Sequence, residues 1–252
     1  MAESIGAFDG ATGRRVADSE QENLPDKPRY RRFQYDLIAP HCGRSVLEVG
    51  AGLGEFAAQF TGRDRIVVTD VDSRAVHVLK HRFADRPEVD VLQLDVGGHL
   101  LIEEPVETVV VINVLEHFDD HAGLLENLSR LVSPGGNIVI WVPGYPALYG
   151  DFDRRVGHVR RYTPSTVAGA VRAAGLQVET VKPVNLLGGL AWWAAVRTGG
   201  AGAPKSKLVD IYDRLLIPAT RTWEQWLPIP FGQSVLCVGR VPNSSAGLTE
   251  SP

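Results

Sequence analysis

The sequence predicts an α/β fold built on a doubly wound, mostly parallel sheet of seven strands, with a helical insertion before the last strand. Three observations predict it. Short runs rich in Val and Ile alternate with stretches of helical periodicity. A glycine loop, residues 50–54, follows directly on the first run. Acids stand at or near the ends of the first three runs, as Glu48, Asp70 and Asp95.

The strands are expected at Ser45–Val49, Arg65–Thr69, Val89–Leu94, Thr108–Asn113 and Asn137–Val142, followed by residues 176–184 and 234–241. The first five are mostly apolar on both faces, as buried parallel strands are. A helix is expected over residues 73–83, where Val76, Leu79 and Phe83 recur at helical spacing. Ser73 is its expected cap. A second helix is expected over residues 122–132, stopping before Pro134-Gly135-Gly136. A third starts at Thr163-Pro164, a capping residue followed by proline at the first helical position, and ends near Gly175.

The last two strands are separated by about 50 residues that carry Trp192, Trp193, Trp223 and Trp226. This insertion, about residues 186–230, is expected to be a lid or an oligomer surface, with its tryptophans engaged mainly in packing. The main domain spans residues 26–242, residues 1–25 read as a flexible arm, and residues 243–252 read as a disordered tail.

A chain of 252 residues suits one domain of this kind. A formal net charge of −4 gives no general basic surface, so nucleic acid is not an expected partner. Cys42 and Cys237 form neither a disulfide framework nor a zinc pattern, which points to a reducing cytoplasm. The polar N-terminal segment lacks the apolar core of a signal peptide. The longest apolar stretch, residues 184–196, is shorter than the roughly 20 residues that cross a bilayer, so no stable membrane insertion is expected.

In an open parallel sheet, ligands bind beyond the carboxyl ends of the strands, where the glycine loop lies. Glycine lets the backbone turn sharply and approach a ligand closely. Gly50, Gly52 and Gly54 read G-x-G-x-G, whereas a dinucleotide loop reads G-x-G-x-x-G and would place its third glycine at Glu55. A carboxylate there repels a pyrophosphate, and Glu48 adds a second negative charge. The loop therefore suits a cationic ligand without phosphate, such as S-adenosylmethionine. Asp70, 20 residues beyond Gly50, is placed to accept both ribose hydroxyls. Asp95 is placed to meet an adenine amino group.

E-V-G-A-G-L-G at 48–54, Asp70, Leu94-Asp95-Val96, N-V-L-E-H-F at 113–118 and L-V-S-P-G-G at 131–136 together resemble the class I S-adenosylmethionine-dependent methyltransferases. The resemblance runs in order over residues 44–182. It implies a Rossmann-like methyltransferase fold with a reversed last strand, supplied by residues 234–241. It also implies that Glu48, Gly50, Gly52 and Gly54 hold the methionine end, Asp70 the ribose, and Asp95 with Val96 the adenine. Asn113 and Leu115 then flank the cofactor, and Tyr30, with Arg31 or Arg32, covers the methionine carboxylate.

Methyl transfer needs an aligned acceptor, exclusion of water and often a base. Two stretches offer one. Residues 115–121 carry His117, Asp119, Asp120 and His121, and residues 148–163 carry Tyr149, Asp151, Asp153, His158 and four arginines. The expected roles are proton removal by His158 or His117 and orientation of a hydroxyl by Asp151 or Asp153. Arg160 and Arg161 would pair with an anionic group of the acceptor or with nearby acids. A cation reading, Mg²⁺ held by His117, His121 and an adjacent acid, competes with the base reading; no residue is assigned as a metal ligand.

The expected function is methylation of a small molecule at a hydroxyl oxygen, the acceptor being a sugar, a natural product or a lipid-like compound. Carbon or nitrogen methylation, and a domain that binds S-adenosylmethionine without turnover, are the alternatives. A nicotinamide-dependent oxidoreductase is disfavoured by the missing third glycine. Homo-oligomer formation through the Trp-rich insertion is a further expectation.

Overall fold

A computed structural model describes residues 27–97, 102–197 and 206–243. The arm, most of the tail and the middle of the insertion expected from the sequence lie outside the described residues.

Seven strands form one sheet in the order β3-β2-β1-β4-β5-β7-β6. They are β1 Ser45–Val49, β2 Arg65–Asp70, β3 Val89–Gln93, β4 Val106–Ile112, β5 Val132–Pro143, β6 Gln177–Val184 and β7 Ser234–Arg240. β1 to β5 pair in parallel, while β7 runs antiparallel to both β5 and β6. The reversed last strand therefore wedges between β5 and β6. Chain reversal starts at β1, whose neighbours are β2 on one side and β4 on the other, so the crevice for a ligand opens at the carboxyl end of β1.

Side chains alternate across the sheet and fill two cores. Leu47, Val49, Val109, Val111, Ile138 and Ile140 face one side. There they meet α3 (His121–Ser129) through Leu124, Leu125 and Leu128, and α5 (Pro164–Ala173) through Val167 and Val171. Val46, Ile66, Val68, Val110, Val139 and Trp141 face the other side, against Phe33 and Ile38 of α1 (Pro28–Ile38) and Leu79 of α2 (Ser73–Arg82). Burying branched side chains on both faces is what makes these strands read as unbroken apolar runs.

Several expectations are corrected. β3 is an edge strand with exposed Asp90, Leu92 and Gln93, not a buried one. The cap of α2 is Asp72, whose side chain accepts from the Arg74 amide at 2.9 Å. A carboxylate is the better partner for the positive end of a helix than the expected Ser73. α3 stops at Ser129, and Pro134-Gly135-Gly136 belongs to β5 instead of preceding it. Pairing with β4 breaks between Val106 and Thr108. Gly135, at φ +78°, takes a conformation that few other residues adopt.

The insertion forms α6 (Leu186–Arg197), α7 (Ser206–Ile211), a π-helical turn (Tyr212–Leu216) and α8 (Ile217–Glu224). Two of its acids fasten it to the domain. Asp213 accepts from the Arg29 and Tyr30 amides at 3.2 and 2.8 Å, which caps α1. Glu224 accepts from the Asn185 and Leu186 amides at 3.1 and 2.8 Å, at the start of α6. The expectation that the tryptophans mainly pack holds for Trp192 and fails for Trp223 and Trp226. Trp193, Trp223 and Trp226 are 40%, 58% and 81% exposed.

Candidate functional site

The glycine loop leaves β1 with three left-handed residues in alternation: Gly50, Gly52 and Gly54 have φ of +67°, +55° and +73°. A Cβ on Gly54 would lie 2.6 Å from Leu79 Cδ2 and 2.8 Å from Phe83 Cε2, so this position is closed to side chains by contact as well as by conformation. The loop is followed only by a three-residue 3-10 turn, Ala57–Gln59. A dinucleotide site sets its pyrophosphate on the N-terminus of a full helix, and this loop lacks one.

The charges around the loop differ from the expected ones. Glu55 is met by the Arg31 guanidinium, so its carboxylate is compensated. Glu48 is 3% exposed. Burial first, then the neighbouring Asp70, pushes its carboxyl up to about 8 against the pull of the Ala57 amide. Near neutral pH it is mostly protonated, and its Oε2 meets no hydrogen-bond donor. Pyrophosphate is therefore disfavoured by the short turn and the Glu55 side chain more than by net negative charge.

Asp70 closes the loop from β2. Its Oδ2 accepts from the Gly52 amide at 2.8 Å and its Oδ1 from the Asp72 amide at 3.0 Å. Asp95 is exposed beyond β3, with Oδ1 accepting from the Gly97 amide at 2.9 Å, and Val96 beside it is buried. Asn113 ends the β4 edge at φ +51°, exposed, its amide donating to Trp141 O at 2.8 Å. The Leu115 side chain is fully buried in the core, and its carbonyl accepts from the Phe118 amide and the Tyr162 hydroxyl. Tyr30 packs edge-on to Trp141 and against Tyr212, with ring centroids 6.4 and 6.3 Å away. Burial pushes its hydroxyl up, with Ser234 and Trp141 opposing. Arg32 pairs with Asp36 at 2.9 Å, on its own helix, and does not join Arg31 at the loop.

The two acceptor stretches meet. Residues 115–117 form a 3-10 turn after β4, and residues 151–155 form the short helix α4 after β5. His158 Nδ1 lies 2.8 Å from Asp153 Oδ1, and its Nε2 lies 3.5 Å from Glu116 Oε1. The His117 and His158 rings are 4.9 Å apart, and His117 Nδ1 lies 3.1 Å from Gly157 O. Asp153 is fully buried. Burial would raise its carboxyl, but bonds from His158, Arg161 and the Gly150 amide outweigh it and hold the group below its usual range.

These distances reassign several residues. Asp153 receives Arg161 Nε at 2.8 Å and the Gly150 amide at 2.9 Å; it has no exposed oxygen with which to orient a hydroxyl. Asp151 is exposed and pairs with Arg154. Arg161 is buried over the Trp192 ring, 5.4 Å from its centroid, and serves Asp153 instead of an acceptor anion. Arg160 donates to Asp119 O at 3.1 Å and lies 3.0 Å from His121 Nδ1. His121 also lies 2.9 Å from the Tyr162 hydroxyl. His117 and His121 thus serve different partners, and the expected cation pair does not form. The base candidates that remain together are His158 and His117.

Two residues were missed in the sequence. Tyr162 donates to Leu115 O at 3.2 Å and ties the two stretches together. Glu116 is fully buried, and neither carboxyl oxygen has a hydrogen-bond partner. Burial pushes it up to about 8; Arg161 opposes and Asp153 reinforces the shift. An acid next to a histidine after a strand reads as a loop acid, and nothing in one sequence distinguishes a buried one.

A methyltransferase-domain family model matches residues 47–138. A probable S-adenosylmethionine-dependent methyltransferase of Mycolicibacterium smegmatis is 29% identical over 178 residues, 68% of each chain. A ubiquinone biosynthesis O-methyltransferase of Paracidovorax citrulli is 29% identical over 179 residues, 64% of this chain and 75% of that one. The chain spans 56%, 68% and 47% of the length of three curated relatives it matches. The N-methyltransferase NodS of Bradyrhizobium japonicum, solved with S-adenosyl-L-homocysteine, superposes with a TM-score of 0.55 at 15% identity, over 90% of this chain and 99% of that one. The glycine loop, the acid at the end of β2 and the reversed β7 agree with these matches, in which residues 47–138 resemble a methyltransferase domain and the chain is similar to S-adenosylmethionine-dependent methyltransferases.

Proposed function

We propose that the protein transfers the methyl group of S-adenosylmethionine to a hydroxyl oxygen of a small molecule. The observation that carries the cofactor reading is the left-handed loop of Gly50, Gly52 and Gly54, held by Asp70 through the Gly52 amide. The residues present fit the cofactor. Glu48, with an orphaned buried oxygen, would face its methionine end, Asp70 its ribose, and Asp95 with Val96 its adenine. Tyr30 and Asn113 would bound the methionine side, and the Leu115 backbone would flank the cofactor. When bound, S-adenosylmethionine supplies a methyl carbon activated by a sulfonium.

The chain's own residues would align the acceptor and manage its proton. His117 and His158 lie together after β4 and β5, each with Nδ1 facing an oxygen. In this reading one of them takes the acceptor proton through its other ring nitrogen. Asp153 orients His158, and Asp151 remains at the exposed rim. Oxygen as the target is supported by these paired imidazoles and by the P. citrulli relative named an O-methyltransferase.

The insertion would wall the acceptor side. Trp192 Nε1 donates to Leu148 O at 3.1 Å, and its ring lies 5.3 Å from Phe152, so α6 packs on the acceptor stretch. The exposed Trp223, Trp226 and Leu215 support use of the outer face by a second copy. Cys42 and Cys237 are free thiols, which supports a reducing, cytoplasmic location. Among the described residues no helix is long and apolar enough to cross a membrane.

Incubation of the purified protein with radiolabelled S-adenosylmethionine and a panel of phenols, sugars and hydroxylated lipids tests the reading. Label entering an acid- and base-stable ether supports oxygen methylation. Label entering carbon or an amine, or S-adenosylhomocysteine release from none of the panel by a protein that binds the cofactor, contradicts it.

A further inference from the structure

We propose that Glu116, His117 and His158 form a binding site for one borderline divalent cation, with Zn²⁺ the best-matched ion. The three residues each offer a donor atom, and those atoms lie within 4.8 Å of one another. Two imidazoles and one carboxylate are a ligand set used by zinc sites that keep an open fourth position.

The second observation is Glu116 itself. It is 0% exposed, and neither of its carboxyl oxygens has a hydrogen-bond partner. A buried polar group without a partner costs about 1–3 kcal/mol, more when charged, so such a group calls for a counterpart. Arg161 is the nearby cation, but its Nε is committed to Asp153 Oδ1 at 2.8 Å, and that pair compensates itself. Glu116 is left as the uncompensated acid of the cluster.

The surrounding contacts match what metal-binding histidines require. A ligating histidine turns its other nitrogen to a carboxylate or a backbone carbonyl, which fixes its tautomer and raises its basicity. His158 Nδ1 faces the Asp153 carboxylate at 2.8 Å, and its Nε2 faces Glu116 Oε1 at 3.5 Å. His117 Nδ1 faces the Gly157 carbonyl at 3.1 Å. Tetrahedral Zn²⁺ with bonds of about 2.0–2.1 Å sets its donors roughly 3.4 Å apart. The Glu116–His158 edge, at 3.5 Å, already has about that length, and the remaining edges lie within 4.8 Å. Imidazole donors select Zn²⁺ and its transition-metal neighbours over Mg²⁺, which prefers carboxylates and water. The site differs from the His117–His121 pair, whose members point to different partners.

Cation binding is measured without S-adenosylmethionine, and a bound ion would compete with the proposed base role because it takes the same ring nitrogens of His117 and His158. The untagged full chain, stripped with chelator, is titrated with Zn²⁺ by calorimetry and with Co²⁺ by visible absorption. The expected result is one ion per chain with a Kd below about 10 μM, intense four- or five-coordinate Co²⁺ bands, and at least tenfold weaker binding in both Glu116→Gln and His117→Gln. Circular dichroism identifies any variant that fails to fold, and the other then decides. His77 and His81, whose exposed rings lie 4.6 Å apart on α2, form the rival surface pair; a His77→Ala/His81→Ala chain is expected to bind unchanged. No binding by the wild-type chain, binding unaffected in the folded Glu116 or His117 variant, loss of binding in the α2 variant, or preference for Mg²⁺ overturns the proposal.

Discussion

Asp70 Oδ2 accepts a 2.8 Å hydrogen bond from the Gly52 amide, so the acid at the end of β2 holds the middle of the loop that follows β1. One carboxylate both shapes the loop and, in the proposed function, meets the ribose. Asp70→Ala is therefore expected to weaken S-adenosylhomocysteine binding by at least about 100-fold, the equivalent of roughly 3 kcal/mol. Asp70→Asn retains an acceptor oxygen and is expected to fall between the two. Equilibrium titration of the three chains checks the order.

Glu48 links binding to pH. Its folded-state value of about 8 lies above the ordinary 4.5, chiefly through burial. Between those values the folded protein keeps a proton that the unfolded chain releases. The stability from this group is thus full below about 4.5 and is lost as pH rises toward 8. A cationic ligand reverses the preference and favours the carboxylate. S-adenosylmethionine affinity is expected to rise between pH 6 and 8, with proton release at binding. Glu48→Gln removes both effects. Calorimetry in buffers of different ionisation enthalpy measures the released proton directly.

Asp153 is the buried hub between His158, Arg161 and the Gly150 amide. Removing one member of a buried ion pair leaves the other uncompensated, at a cost of about 3–5 kcal/mol. Asp153→Ala is expected to lose that much in urea unfolding, and Arg161→Met alone a similar amount. A loss below about 1 kcal/mol would show that the hub is not energetically coupled.

The insertion is fastened by capping. Asp213 accepts two amides at the start of α1. Asp213→Ala is expected to cost about 1–2 kcal/mol, and hydrogen exchange is expected to rise first at Arg29 and Tyr30. Uniform exchange across the domain would contradict this local assignment.

How far the sequence disclosed this protein follows from the range of its interactions. β1, β2, β4 and the loop glycines are legible because each reports a local demand: two buried faces for the strands, left-handed backbone for Gly50, Gly52 and Gly54. The boundary of α3 was misread because Pro134-Gly135-Gly136 usually ends structure, whereas here pairing with β4 draws it into β5. The acceptor stretches were legible as sites of His, Asp and Arg, but not as partners of one another. Asp153 to Arg161 spans eight residues, and Glu116 to His158 spans forty-two. Such pairings depend on how β4 and β5 bring their following loops together. For the same reason Arg161, expected at an acceptor, closes a buried ion pair, and Glu116, unremarked in its motif, is the buried acid at the centre of the cluster.

The most direct measurement is calorimetric titration of the purified chain with S-adenosylmethionine, S-adenosylhomocysteine and NAD. One-to-one binding of the first two is expected, lost in Asp70→Ala while circular dichroism stays unchanged, with no binding of NAD. Folded protein that binds neither S-adenosyl compound, or that binds NAD instead, would contradict that expectation.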